Sequence, residues 1–145
     1  LNPFTYTPFA AENSNEQIDR AMVKKLLNNW IMYVNEENLT AVVNMYAENA
    51  ILLPTLSDQI RIGRPEIQEY FIKFLGKDGL NGTVTKLYIQ IADDTGIASG
   101  QGIFKYRTTG KKNAEWVEVD FRFSFVFQKG IQGWQILNHH SSLVP

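Results

Sequence analysis

Apolar positions recur at helical spacing up to about residue 76 and alternate from Asn81 onward. Ile18, Met22, Leu26, Trp30 and Tyr33 fall on one helical face, which predicts a helix running to about Glu36. Ser14 or Asn15 is placed to cap it, with Glu16 and Asp19 in its first turn, where negative charge is favourable. Asn38 predicts the cap of a shorter helix through Val42, Val43 and Tyr46, ending near Asn49. Ala50–Pro54 then reads as a short apolar strand and Thr55–Arg64 as a polar loop. Pro65 suits the first position of a third helix, which continues through Ile67, Tyr70, Phe71 and Phe74 to Gly76. Residues 1–13 mix Pro3, Pro8 and aromatics without a period, so an extended arm is expected ahead of one domain over 14–145.

Four strands follow: Thr83–Ala92, Ile97–Thr109, Ala114–Gln128 and Gly133–Val144. Polar, glycine-bearing turns at 93–96, 109–113 and 129–133 separate them, the pattern of an antiparallel meander. Helices first and strands after predict an α+β domain, with the N-terminal helices packed on one face of the sheet. Strands this long in so small a domain must curve. The expected shape is a cone, a curved antiparallel sheet whose concave face the helices cover.

Composition narrows the chemistry. At 145 residues a single domain can bury roughly two-thirds of its unfolded surface. Fourteen Lys and Arg against fifteen Asp and Glu give a net charge of −1, without a basic stripe. Nucleic acid is therefore not an expected partner, and no apolar run reaches the length of a membrane span. The chain has no Cys, which excludes thiolate nucleophiles, disulfides and Cys-based zinc sites. A first residue that is Leu, not Met, fits a removed signal peptide or a trimmed chain. On that ground a periplasmic or other exported compartment is favoured slightly over the cytoplasm.

The candidate chemistry lies in the last two strands. Phe121, Phe123, Phe125 and Phe127 share one face, a stripe that reads as core, or as a subunit interface if the helices cover the other face. Arg122 and Ser124 share the opposite face with Val126. If that face is concave, the guanidinium needs an anion or a carboxylate; otherwise it meets solvent. In the final strand, alternation puts Trp134, Ile136, Asn138, His140 and Ser142 on one side, and Gln135, Leu137, His139 and Ser141 on the other. His139 and His140, the only histidines, then cannot share a pocket unless a bulge intervenes. His140 and Ser142 can. The plainer reading leaves one His satisfied in the core and the other exposed. A Ser–His–acid triad fits poorly, since Asp120 is the nearest candidate acid and nothing places it. No nucleophile elbow, phosphate loop, zinc-protease helix or dinucleotide fingerprint is present. Thr55, just past an apolar strand, is placed for a cavity lip.

These segments together resemble the nuclear transport factor 2-like superfamily and, within it, the kinase-II association-domain group. The nearest likeness is to the iota-class carbonic anhydrases. It rests on Leu52-Leu53-Pro54-Thr55-Leu56-Ser57, on 67–75 with Tyr70-Phe71 and Phe74-Leu75, on 121–127, and on Trp134 to Pro145 with the HHSS motif at 139–142. In one departure, Phe121 and Ser124 stand where Ala and Thr are more usual. The resemblance implies reversible hydration of carbon dioxide to bicarbonate in a cone-shaped pocket, a lyase activity. It carries Thr55, Tyr70 and one or both of Ser141 and Ser142 over as pocket hydroxyls, and the histidine pair with them. The expected mechanism has Thr55, Tyr70 and Ser142 hold a water and His140 accept its proton. His139, Ser141, Arg122 and Ser124 are expected to contact substrate. No metal is expected; zinc or manganese on His139 and His140 is the alternative, because the group includes metal-dependent and metal-free members.

Two rival readings come from the same superfamily. One is a non-catalytic association or small-ligand-binding module, with a homodimer or higher homo-oligomer built through the aromatic-rich sheet. The other is an isomerase or cyclase, which would place an Asp or Glu in the pocket as base. No acid in the sequence is well placed for that role.

Overall fold

The computed structural model describes residues 18–108 and 114–145. The expected N-terminal arm, the caps at Ser14 or Asn15, Glu16, and the turn at 109–113 lie outside them. Helix α1 spans Arg20–Asn35. Asp19 is its cap instead of a first-turn residue, its carboxylate accepting from the Met22 N–H at 2.8 Å. Val23, Leu26, Leu27, Trp30 and Val34 form its buried stripe. Helix α2 is only Leu39–Asn44, capped as expected by Asn38.

Tyr46 belongs to a strand, not to that helix: β1 runs Tyr46–Leu53. Its spacing from Val42 suits a helix, yet Tyr46, Ala50 and Leu52 also share a strand face, and all three are buried. The polar loop holds a two-residue strand β2, Arg61–Ile62, before helix α3, Arg64–Phe74. Gly63 caps α3 at φ +83°, a left-handed conformation that favours glycine, and its N–H bonds the Ala50 carbonyl at 2.8 Å. Pro65 is consequently the second helical residue. Strands β3 (Asp78–Ala92), β4 (Thr95–Arg107), β5 (Trp116–Gly130) and β6 (Gly133–Leu143) complete the chain.

The architecture is α+β. Six strands in the order β2-β1-β6-β5-β4-β3 form a curved, unclosed sheet. The meander β3 to β6 is antiparallel, as is β1 with β2, but β1 pairs parallel with β6. The edge of β6 that the meander leaves free is thus closed by a strand from the first half of the chain.

Concave-face packing follows from the sequences of β4 and β5. Gly102, Gly100, Ala98 and Gly96 stand directly opposite Phe121, Phe123, Phe125 and Phe127. A β-carbon at Gly100 or Gly102 would run into the backbone carbonyl of Lys86 or Thr83 on β3 as well as the facing Phe ring, and one at Gly96 would meet Val23 and Ile18. Small residues on one strand therefore make room for four rings and for α1. The Phe stripe is core, under the helices, because the side it occupies is the concave one.

Candidate functional site

A β-bulge decides which polar groups enter the cavity. In β5–β6 pairing, Phe127 faces Ile136 and Val126 faces Asn138, leaving Leu137 as an extra residue. Alternation restarts one position later. Ile136 and His139 are therefore both buried, although they are three positions apart and unbroken alternation would put them on opposite faces. His139 and Ser141 face inward, opposite Phe125 and Phe123. His140 pairs with Ser124 and Ser142 with Arg122 on the outer side.

The expected site therefore divides. Thr55, Tyr70, His139 and Ser141 line one cavity, which the Phe stripe reaches at Phe121. His140, Arg122 and Ser124 are exposed on the convex face and do not reach it. Ser142 sits half-buried beside them and does not line it either. Extending the Trp134–Ile136 alternation unbroken through Leu137 gave the wrong partners. Asp120 is exposed as well and orients neither histidine.

Thr55, in the turn after β1, shares a hydrogen bond with the Ser141 hydroxyl. Tyr70 comes from α3, its ring stacked on Phe74 at 5.6 Å between centroids. Burial raises its phenol pKa, offset in part by the Arg61 guanidinium. The remaining walls are apolar, among them Leu52, Phe71, Phe121 and Trp30, and the cavity offers about 30 Å³. By the roughly 10–15 Å³ that one enclosed water needs, a small molecule fits there. No Asp or Glu lines it among the described residues.

His139 is held by partners that sequence reasoning missed. Its ring stacks on Phe125 at 3.8 Å and meets Trp30 edge-on at 5.4 Å. Trp30 Nε1–H donates to the Tyr46 hydroxyl at 3.1 Å, and that hydroxyl lies 2.8 Å from His139 Nδ1. Trp30 can only donate, so the Tyr46 oxygen accepts from it. The fully buried Tyr46 O–H must then give its own proton to Nδ1, or leave it unpaired. This accounting assigns His139 the tautomer protonated at Nε2. Burial, with a smaller push from His140, lowers its pKa to about 3, so the ring is neutral at ordinary pH. The available signal is that buried Trp and Tyr need partners for their polar tips; helical spacing treats both only as apolar positions.

The donor set does not fit a divalent metal. The histidines occupy opposite faces of the sheet, and His139 Nδ1 is taken by Tyr46. Among the described residues no three His, Asp or Glu side chains gather as a cluster.

Residues 19–145 match the model of the calcium/calmodulin dependent protein kinase II association domain. The chain belongs to that family. A solved structure assigned as such an association domain, from Xanthomonas campestris, is 32% identical, with a TM-score of 0.76 over 88% of this chain and 90% of that one. A nuclear transport factor 2-like protein with a cystatin-like fold from Novosphingobium aromaticivorans is 14% identical, with a TM-score of 0.73 over 93% and 86%. A ketosteroid isomerase-like protein from Erwinia carotovora atroseptica is 16% identical, with a TM-score of 0.68 over 86% and 95%. The latter two likenesses establish the shared fold of this association-domain chain and nothing more. No curated protein matches it.

Proposed function

We propose that the cavity hydrates carbon dioxide to bicarbonate, in the manner of the iota-class carbonic anhydrases that the sequence resembles. The observation that carries this reading is the Thr55–Ser141 hydroxyl pair inside a small, apolar, acid-free cavity beside a neutral imidazole. A cavity of about 30 Å³ suits a triatomic substrate. The isomerase reading lacks a carboxylate base among the described lining residues.

In this mechanism Thr55, Ser141 and Tyr70 hold a water, and CO2 lies against the apolar wall. The water oxygen bonds the carbon, a C=O π pair moves onto oxygen, and one proton leaves, giving HCO3⁻ and H⁺. His139 donates from Nε2 to the oxygen that gains charge and does not accept the proton. The Thr55–Ser141 pair passes the proton outward. Metal-bound water reaches a pKa of about 7; neutral hydroxyls act only by positioning and preorganised dipoles, so turnover is modest. Stopped-flow CO2 hydration tests the proposal, with and without a chelator. Activity should survive chelation and fall by about 10²-fold in Thr55→Ala, the scale of losing one preorganised donor. No activity in the unaltered protein, with or without added metal, would overturn it.

Family membership favours a second reading, in which the chain is an association module that forms homodimers or larger rings. Light scattering on the purified protein tests it, and a monomer at micromolar concentration would contradict it.

A further inference from the structure

One buried cation takes no part in the hydration mechanism. Arg61 on β2 is only 6% exposed. It pairs across the sheet with Leu52, which pairs in turn with His139. Directly opposed residues share a face, so Arg61 lies in the same concave row as Leu52 and His139, next to the cavity but not itself lining it. Its guanidinium carbon lies 5.9 Å from the centre of the Tyr70 ring, which lines the cavity.

Its partners leave it incompletely satisfied. Nη1 donates to Glu69 Oε1 at 2.9 Å, while the buried Nε–H has no partner. The Glu69 side chain is 66% exposed against 8% for Arg61, so the one carboxylate approaches from the solvent side. A guanidinium presents five donors in a planar fork suited to bidentate binding of a carboxylate-shaped anion. A buried donor left unpaired is costly, and an unsatisfied one in a folded protein calls for an explanation, an ion or a functional role among them.

We infer that Arg61 is the anion-binding residue beside the cavity, taking a small planar monovalent oxyanion through Nε and a terminal nitrogen. In the unliganded protein Glu69 is the internal competitor for the guanidinium. That the anion is bicarbonate rests on the hydration reading above; the existence of the anion site does not. Bicarbonate formed at Thr55 and Ser141 would then leave past a fixed positive charge.

The test uses the full chain and formate, which has the planar carboxylate shape and cannot be dehydrated to CO2. The Arg61 Nε–H resonance is followed in ¹H–¹⁵N spectra as formate is added. The expected result is a saturable shift, reversed by bicarbonate. Arg61→Gln should weaken formate binding, read from the formate carbon signal, by tenfold or more. Arg61→Lys, which keeps the charge but not the fork, should weaken it several-fold. Glu69→Gln, at an exposed position, should tighten it about threefold or more. Absence of a saturable shift, or equal affinity in Arg61→Gln, overturns the inference. Should Arg61→Gln not fold, Arg61→Lys and Glu69→Gln decide, and unchanged affinity in both overturns it. Formate binding through Arg61 without CO2 hydration would retain the anion site and remove the hydration reading. Hydration with no Arg61-dependent anion binding would do the reverse.

Discussion

His139 and His140 are joined by one peptide bond and stand in opposite environments. His139 is buried between Phe125 and Trp30, bonded to Tyr46, and neutral. His140 is exposed on the convex face across from Ser124. The same division runs through the serines, with Ser141 on Thr55 inside and Ser142 across from Arg122 outside. A strand presents its residues alternately, so a motif of four adjacent polar groups can furnish only two to any one cavity. The inner pair is the candidate site, and the outer pair faces away from it.

The sharpest break between the two faces is in stability. Phe125→Ala should cost about 3–5 kcal/mol, as removal of a buried ring does, because the ring stacks on His139 and Phe127 and meets Trp30 edge-on. Ser124→Ala, the next residue on the outer face, should stay within about 0.5 kcal/mol. Denaturant unfolding of the two variants measures the contrast.

The pH dependence of stability sharpens it further. His139 titrates near 3 when folded, against 6.5 for the unreacted group in the unfolded chain. Between those values the unfolded state binds the extra proton, so the stabilising contribution of the neutral buried ring is complete above pH 6.5 and declines as pH falls. The slope should approach about 1.4 kcal/mol per pH unit. Substituting His139→Gln should flatten the unfolding profile between pH 6 and 4. An unchanged slope would show that His139 is not protected from protonation.

Much of the fold was legible because it rests on periods. The helical spacing around Trp30 and Phe71, the alternation from Asn81 and the Phe stripe all followed from burying one face of each element. Tyr46 was misplaced because Val42, Val43 and Tyr46 satisfy a helical spacing locally, whereas the sheet edge of β6 takes the segment as a strand. Tertiary pairing outweighed local pattern there. Of the candidate site, Thr55 was legible as a hydroxyl following an apolar strand. The Leu137 bulge was not, since neither Ile136 nor Asn138 carries a glycine or proline to mark it. That single extra residue exchanged His139 and Ser141 for His140 and Ser142. Arg61 was hidden in a segment read as polar loop, and only its pairing with Leu52 turns it inward.

The most direct measurement is CO2 hydration by Ser141→Ala beside Ser142→Ala, with His140→Ala as a further outer-face variant. A loss of about 10²-fold is expected in Ser141→Ala, with activity close to the unaltered protein in the other two. Equal losses in both serine variants, or a loss confined to Ser142→Ala or His140→Ala, would contradict that expectation.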